Sequence, residues 1–319
     1  MRVLTGIQPS GDLHIGNYFG SIKQMVEAQK KSETFAFIAN YHAMTSGGKD
    51  LSRLTMQCAT DFLALGIDPQ KSTFWIQSDV KEVLELYWIL SSFTPMGLLE
   101  RAHSFKDKTA KGIPANHSLF SYPVLMAADI LLFGSEVVPV GKDQIQHVEI
   151  ARDVATKFNN AYGDILVMPE FRVQEEVQTV PGIDGQKMSK SYGNIVNIFG
   201  EEKKQLKTIK KIVTQNVAME EPKEYENCNV YNIAKLFLEG DNLTELQERY
   251  KRGGEGHGHF KIYLAEVMWE YFREFRKKRE YYENNQDEVR EILNMGANKA
   301  RQTAMPMIEK IRDVTGIKY

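Results

Sequence analysis

The stretch Val3-Leu4-Thr5-Gly6-Ile7-Gln8-Pro9-Ser10-Gly11-Asp12-Leu13-His14-Ile15-Gly16-Asn17 decides the fold. It opens on a short apolar run that predicts a strand. Gln8-Pro9-Ser10-Gly11 follows as a turn, because proline and glycine interrupt regular structure. A helical pattern begins near Ile15. Gly6, Gly11 and Gly16 let the backbone turn tightly and come close to a ligand. A helix start after such a turn presents free N–H groups and a positive dipole end, which suits phosphate. His14 and Asn17 are spaced to share one face of a helical turn, and both can donate to phosphate oxygens. Glycine spacing taken alone is more often the mark of an ordinary strand, turn and helix with a solvated histidine.

The neighbouring sequence extends the pattern. Residues 35–39 and 73–77 read as further buried strands, and 136–140 as a short one. Between the second and third strands, residues 51–65 carry apolar side chains at helical spacing and stop at Gly66. Strands separated by helices imply a parallel sheet with crossover helices. Residues 82–133 read as mostly helical with breaks at Pro95 and around 111–114, and a helix is expected over 144–162. Residues 171–185 read as extended and turn-rich. Beyond Asn197 the pattern becomes helical: 203–213, 230–238, 243–252, 260–282, 288–294 and 297–314. The fold class expected is α/β, with a Rossmann-like parallel-sheet nucleotide-binding domain over 1–200 and a mostly helical insertion at about 82–165. An all-helical domain over 201–295 and a C-terminal helix over 296–319, packing back on the first domain, complete it.

Composition narrows the class. The 319 residues are 42% hydrophobic and 26% charged, a globular balance that excludes a disordered or fibrous chain. A net charge of -2 supplies no global field toward nucleic acid, so any such partner must meet local basic patches. The two cysteines, Cys58 and Cys228, stand too far apart for a disulfide framework or a zinc motif and fit a reducing compartment. The apolar run at 123–133 contains Asp129 and is too short to span a bilayer, and the opening residues are too short for a signal-peptide core. A cytoplasmic location with no membrane and no DNA partner is therefore expected.

Two further stretches carry chemistry. Lys187-Met188-Ser189-Lys190-Ser191 puts two cations and two hydroxyls on one loop, able to grip a polyphosphate, although a bare charge cluster is usually solvated surface. Asp129 lies within the apolar helix pattern Val124-Leu125-Met126-Ala127-Ala128-Asp129-Ile130-Leu131-Leu132. A buried unpaired carboxylate costs several kcal/mol, so Asp129 is exposed, paired with a protein donor, or aimed at a ligand. An indole N–H is donor only, and a carboxylate oxygen suits it. A tyrosine hydroxyl could donate there equally well.

His14-Ile15-Gly16-Asn17 resembles the HIGH motif, and Lys187 to Ser191 matches the KMSKS motif, of the class I aminoacyl-tRNA synthetases. Asn17 departs from the motif's last histidine, as is common in tryptophan-specific members. The opening Gly6 to Gly11, the run Leu125 to Leu132, and Val138-Pro139-Val140-Gly141-Lys142-Asp143-Gln144-Ile145-Gln146-His147 are similar to the bacterial tryptophanyl family, and the resemblance extends to Gly296-Ala297-Asn298-Lys299-Ala300-Arg301.

That resemblance implies a tryptophan–tRNA ligase, with ATP and Mg2+ carried on the phosphates, L-tryptophan and tRNA(Trp) as partners, and a homodimer joined through the inserted region. It implies Lys187, Lys190, His14 and Asn17 as catalytic residues. Gln8, Pro9, Ser10, Gly16, Asn17, Gly141, Lys142, Asp143, Gln144, Val180, Met188, Ser189 and Ser191, with both lysines, would surround ATP. Asp129, Gln8, His42, Met126, Val138, Val140 and Leu4 would hold tryptophan, and Lys106 or Lys108 would reach the phosphates from a loop. The basic runs at Lys203, Lys204, Lys207, Lys210 and Lys211 and at Arg276-Lys277-Lys278-Arg279 are solvated helix faces or a tRNA surface. A tyrosyl enzyme, a small-molecule nucleotidyltransferase on the same fold, and a non-catalytic paralogue remain the alternatives.

Overall fold

A computed structural model of the chain describes residues 1–45, 50–102, 105, 112, 115–173 and 180–319. Lys106 and Lys108 lie outside the described residues, as does the side chain of Asp143.

Five strands make one parallel sheet: β1 (Arg2–Ile7), β2 (Glu33–Ile38), β3 (Ser72–Ile76), β4 (Val137–Val140) and β5 (Glu170–Val173). Their order is β3-β2-β1-β4-β5. Leu4 lies opposite Phe35 of β2, which lies opposite Thr73 of β3, and Val3 lies opposite Val137 of β4. The order reverses between β1 and β4. In an open α/β sheet a ligand crevice forms beyond the carboxyl ends at such a switch point.

Alternation along the strands divides the interior in two. Leu4, Phe35, Phe37, Val138 and Val140 face a core built with α5 (Glu82–Ser91), α7 (His117–Leu132) and α8 (Ile145–Tyr162). Ala36 and Ile38 face the other core, with Ile15, Ile22 and α4 (Leu51–Ala64). The same core takes in Val196, Ile198 and the helices that follow, so the helical part is packed directly on the sheet-bearing part. Its helices are α9 (Glu202–Ile209), α10 (Asn229–Ala234), α11 (Gly240–Arg252), α12 (His257–Tyr271), α13 (Arg273–Asn284) and α14 (Gln286–Thr315).

Three sequence expectations change. Residues 170–173 form an edge strand where an extended, turn-rich stretch was expected. Three of those four residues are exposed, so burial left little periodic signal. The helix expected over 260–282 is two helices that meet at Phe272, which is buried among aromatic rings of Tyr18, Phe237 and Phe275. The break expected near Gly296 is absent, and α14 runs through it. Gly296 serves close packing instead: a Cβ there would stand 1.8 Å from the carbonyl oxygen of Phe74. Without a side chain at that position α14 can lie against β3 and cover the edge of the sheet.

Candidate active site

The chain leaves β1, crosses the glycine turn, and re-enters helix at Ile15. That helix begins as a single α turn, Ile15–Asn17, passes through a π turn at Tyr18–Ile22 and ends as Lys23–Ala28. His14 is extended at its start (φ -114, ψ 162) and caps it. The backbone N–H of Asn17 donates to His14 Nδ1 at 3.3 Å, and the backbone N–H of His14 donates to Asn17 Oδ1 at 3.1 Å. This reciprocal cap has two chemical consequences. With Nδ1 accepting, the ring proton sits on Nε2. With Oδ1 occupied, Asn17 offers its amide NH2 to a ligand. Burial first, and the nearby Lys190 charge second, lower the His14 pKa from 6.5 to about 4. His14 is thus a neutral Nε2–H donor at physiological pH. Gly16 makes room for this ring: a Cβ would lie 2.9 Å from His14 Nδ1 and 3.3 Å from Met188 Cβ.

The lysine loop folds over the same turn. Lys190 Nζ donates to the Ser10 carbonyl at 2.9 Å and to Ser10 Oγ at 3.1 Å. Its pKa is lowered by burial, against the pull of Asp12, Cys58 and Asp61. Lys187 is exposed at the loop's start. Met188 N–H donates to the Val180 carbonyl at 2.9 Å, and the Ser189 and Ser191 hydroxyls meet at 2.8 Å. Behind the loop, the Ile15 N–H donates to Val196 O and the Ile198 N–H to Leu13 O, both at 3.0 Å. Residues far apart in sequence thereby face one space.

A cleft of 910 Å³ opens beside them, lined by Gln8, Ser10, Asn17 and Gly141 at the carboxyl ends of β1 and β4; the lysine-loop residues and His14 are not in its lining, and Lys190 reaches it through Ser10. It continues past Thr5 and Pro139 to Thr34 and Arg172. Pro9 is buried, whereas Gln8, Gly141 and Lys142 are exposed at the mouth. Gln144 Oε1 accepts from His147 Nδ1 at 2.8 Å.

Asp129 lies on the opposite side of the sheet and is only 2% exposed. Its carboxylate meets His42 Nε2 at 2.8 Å and accepts from Gln77 Nε2 at 2.9 Å on each oxygen. Gln77 is held in that sense because its own Oε1 accepts the Tyr41 N–H at 3.0 Å. Burial raises the Asp129 pKa, while the His42 and Gln77 contacts pull it down. Three bonds use three of about four acceptor positions on a carboxylate, so one acceptor position is unused. Leu4, Val138 and Val140 are buried nearby in the same core, and Met126 is half-buried. The His42 ring stands edge-on to Tyr122, whose hydroxyl pairs with His147 Nε2 at 2.9 Å.

Several of these residues carried no clear signal in the sequence. Gln77 directly follows β3 at its carboxyl end, the edge where ligands gather, and that position could have singled it out. Tyr122 and His147 have meaning only through a pairing between α7 and α8. Asn194 braces the lysine loop from beneath: its Oδ1 accepts the Ser189 N–H at 2.8 Å, and its Nδ2 donates to Asp184 at 2.8 Å and to Lys187 O at 3.1 Å.

A switch-point crevice at a helix start, with a lysine loop bonded onto the same glycine turn, is the architecture of a class I aminoacyl-tRNA synthetase. The chain belongs to the family described as tRNA synthetases class I (W and Y), whose profile matches residues 1–273. It is 63% identical to the Tryptophan--tRNA ligase of Campylobacter jejuni strain RM1221, over 99% of this chain and 100% of that one. It is 50% identical to the enzyme of the same name from Fusobacterium nucleatum, over 99% and 98% of the two chains. Among solved structures, tryptophanyl-tRNA synthetase from Campylobacter jejuni, complexed with ADP and tryptophan, superimposes with a TM-score of 0.96 at 63% identity, covering 99% of this chain and all of that one.

Proposed function

We propose that this protein is a tryptophan–tRNA ligase: it activates L-tryptophan with ATP to the adenylate and then transfers it to tRNA(Trp). The observation that carries the choice of amino acid is Asp129, a buried carboxylate with one acceptor position left over in apolar surroundings. An indole N–H fits that position. Phenylalanine would leave it buried and unsatisfied, and sites built on such a bond discriminate by about 10⁴–10⁵.

The tryptophan carboxylate attacks the α-phosphorus of ATP, and pyrophosphate leaves with the bonding electron pair. That carboxylate is already ionised at neutral pH, so no general base is required. Rate enhancement comes from positioning and charge stabilisation. Lys187 and Lys190 stabilise the leaving pyrophosphate. Nε2–H of His14 and the amide of Asn17 donate to phosphate oxygens. Gln8, Ser10 and Gly141 line the nucleotide side of the cleft, with Lys142 exposed next to Gly141, and His42 orients Asp129. Mg2+ would be held through the phosphate oxygens of ATP and would offset part of their charge. In the second step the 2′-hydroxyl of the terminal ribose attacks the acyl carbon, and AMP leaves.

Residues 1–200 form the catalytic part of this reading, 201–295 read the anticodon, and 296–319 return to the catalytic part. The homodimer assigned to the inserted region is supported by the exposure of Trp88 (74%) and Met96 (62%) on α5 and α6 (Met96–Glu100). A cytoplasmic site of action completes the reading, and no described helix is long and apolar enough to cross a membrane. The deciding experiment is ATP–pyrophosphate exchange against each of the amino acids, followed by charging of tRNA. Exchange with tryptophan alone is expected. Exchange driven by tyrosine would transfer the assignment to the tyrosyl branch, and exchange without tRNA charging would point to a nucleotidyltransferase.

A further inference from the structure

We propose that Arg279 and Asp61 are a positioning pair for adenylate formation: their contact seats the helical part on α4 and holds the strap behind the lysine loop. Arg279 Nε donates to Asp61 Oδ1 at 2.6 Å, and its Nη1 pairs with Glu283 at 2.6 Å. The same guanidinium lies 4.8 Å from the centre of the Phe199 ring. One side chain of α13 therefore touches both α4 and the end of the strap. The strap is the segment whose Ile198 N–H bonds to Leu13 O, beside His14, which is paired with Asn197.

The face of α4 links these contacts to the nucleotide end. Gln57 stands one turn before Asp61 on the same face and donates to Asp12 Oδ1 in the glycine turn at 2.8 Å. Thr60 accepts from Gln286 of α14 at 3.1 Å. The Lys190 ammonium lies within electrostatic reach of both Asp12 and Asp61. A shift of α13 relative to α4 is thus felt at the glycine turn, the strap and the catalytic lysine together.

Stability is a poor reason for this carboxylate. Asp61 is 1% exposed, and burial pushes its pKa up to about 6 in spite of the arginine, with Asp12 and Glu283 adding to the rise. A neutral side chain there would be easier to bury. The charge is explained by what it holds.

The proposal rests on the adenylation reading, and the parent protein's own exchange activity tests that reading separately. The variants are Asp61→Asn, Arg279→Gln, the double variant and Arg279→Lys, each with kcat and KM for tryptophan and ATP and a thermal midpoint. Each neutral single variant is expected to lower kcat about tenfold with KM for tryptophan within about twofold. The double variant should be no slower than the worse single one, because both remove the same contact. Arg279→Lys keeps the charge and should recover part of kcat. If a single variant does not fold, the double variant decides, since it buries no unpaired charge. Parental kcat in the double variant, additive losses, or a loss that vanishes per folded molecule would overturn the proposal.

Discussion

Asp129→Asn separates recognition of the indole from everything else in the pocket. In the parent, one oxygen accepts from Gln77 and meets His42 while the other accepts from Gln77, at 2.8 to 2.9 Å. An asparagine has one acceptor oxygen and one NH2. If the oxygen keeps His42 and one Gln77 contact, the NH2 takes the place of the oxygen that accepted the other, and it confronts both Gln77 Nε2 and the indole N–H, donor against donor. If the amide turns round, the NH2 confronts Gln77 Nε2, which its bond to Tyr41 prevents from turning. Either way a buried donor loses its partner, at about 1–3 kcal/mol, and a charge-assisted bond worth about 1.5–3 kcal/mol is lost or weakened. A combined effect of about 3 kcal/mol lowers kcat/KM for tryptophan about 100-fold. The fold should survive, because the buried group becomes neutral. The assay is ATP–pyrophosphate exchange over a range of tryptophan, with phenylalanine in parallel and a melting curve as control. Phenylalanine has no N–H to lose, so its slow use should hardly change, and the ratio of the two should fall about as far as tryptophan use does. Tryptophan kcat/KM within threefold of the parent, in a folded variant, would remove Asp129 from the indole site.

Lys190→Ala removes the ammonium that reaches Ser10; single-turnover adenylate formation should slow about 100-fold, with tryptophan affinity nearly unchanged. Equal losses in both would deny the lysine a transition-state role. His14 should stay neutral far below the usual histidine range, and its ring protons followed by NMR should titrate near pH 4 rather than 6.5. Because its folded pKa is depressed, the unfolded chain takes up the proton first, so the His14 contribution is complete above pH 6.5 and fades as pH falls through about 4; a midpoint near 6.5 would contradict the cap and the burial together. Gly296→Ala sets a methyl carbon 1.8 Å from the Phe74 oxygen, and chemical denaturation should show a loss of about 2 kcal/mol or more. An unchanged midpoint would mean that α14 does not lean on β3.

The parallel sheet, the glycine turn and the lysine loop were legible in linear order because each is a local pattern. Strand and helix periodicity, turn residues and a charge cluster all act within a few residues of themselves. Asp129 was legible as an anomaly for the same reason, an acid among apolar neighbours on one helix. Its partners carry no local pattern: the family resemblance placed His42 in the pocket, Gln77 was missed, and only strand order brings the two, from the ends of two other crossings of the sheet, to one carboxylate. The same holds for Lys190 above Ser10, for Asn194 beneath the lysine loop and for Arg279 against Asp61. Gly296 shows the limit most plainly. In sequence it reads as a helix break, yet the helix continues, because the space that a side chain would fill already belongs to a strand more than two hundred residues earlier. Local free energy shapes an element, but which elements meet depends on burying surfaces distant in the chain, and the site is made from those meetings.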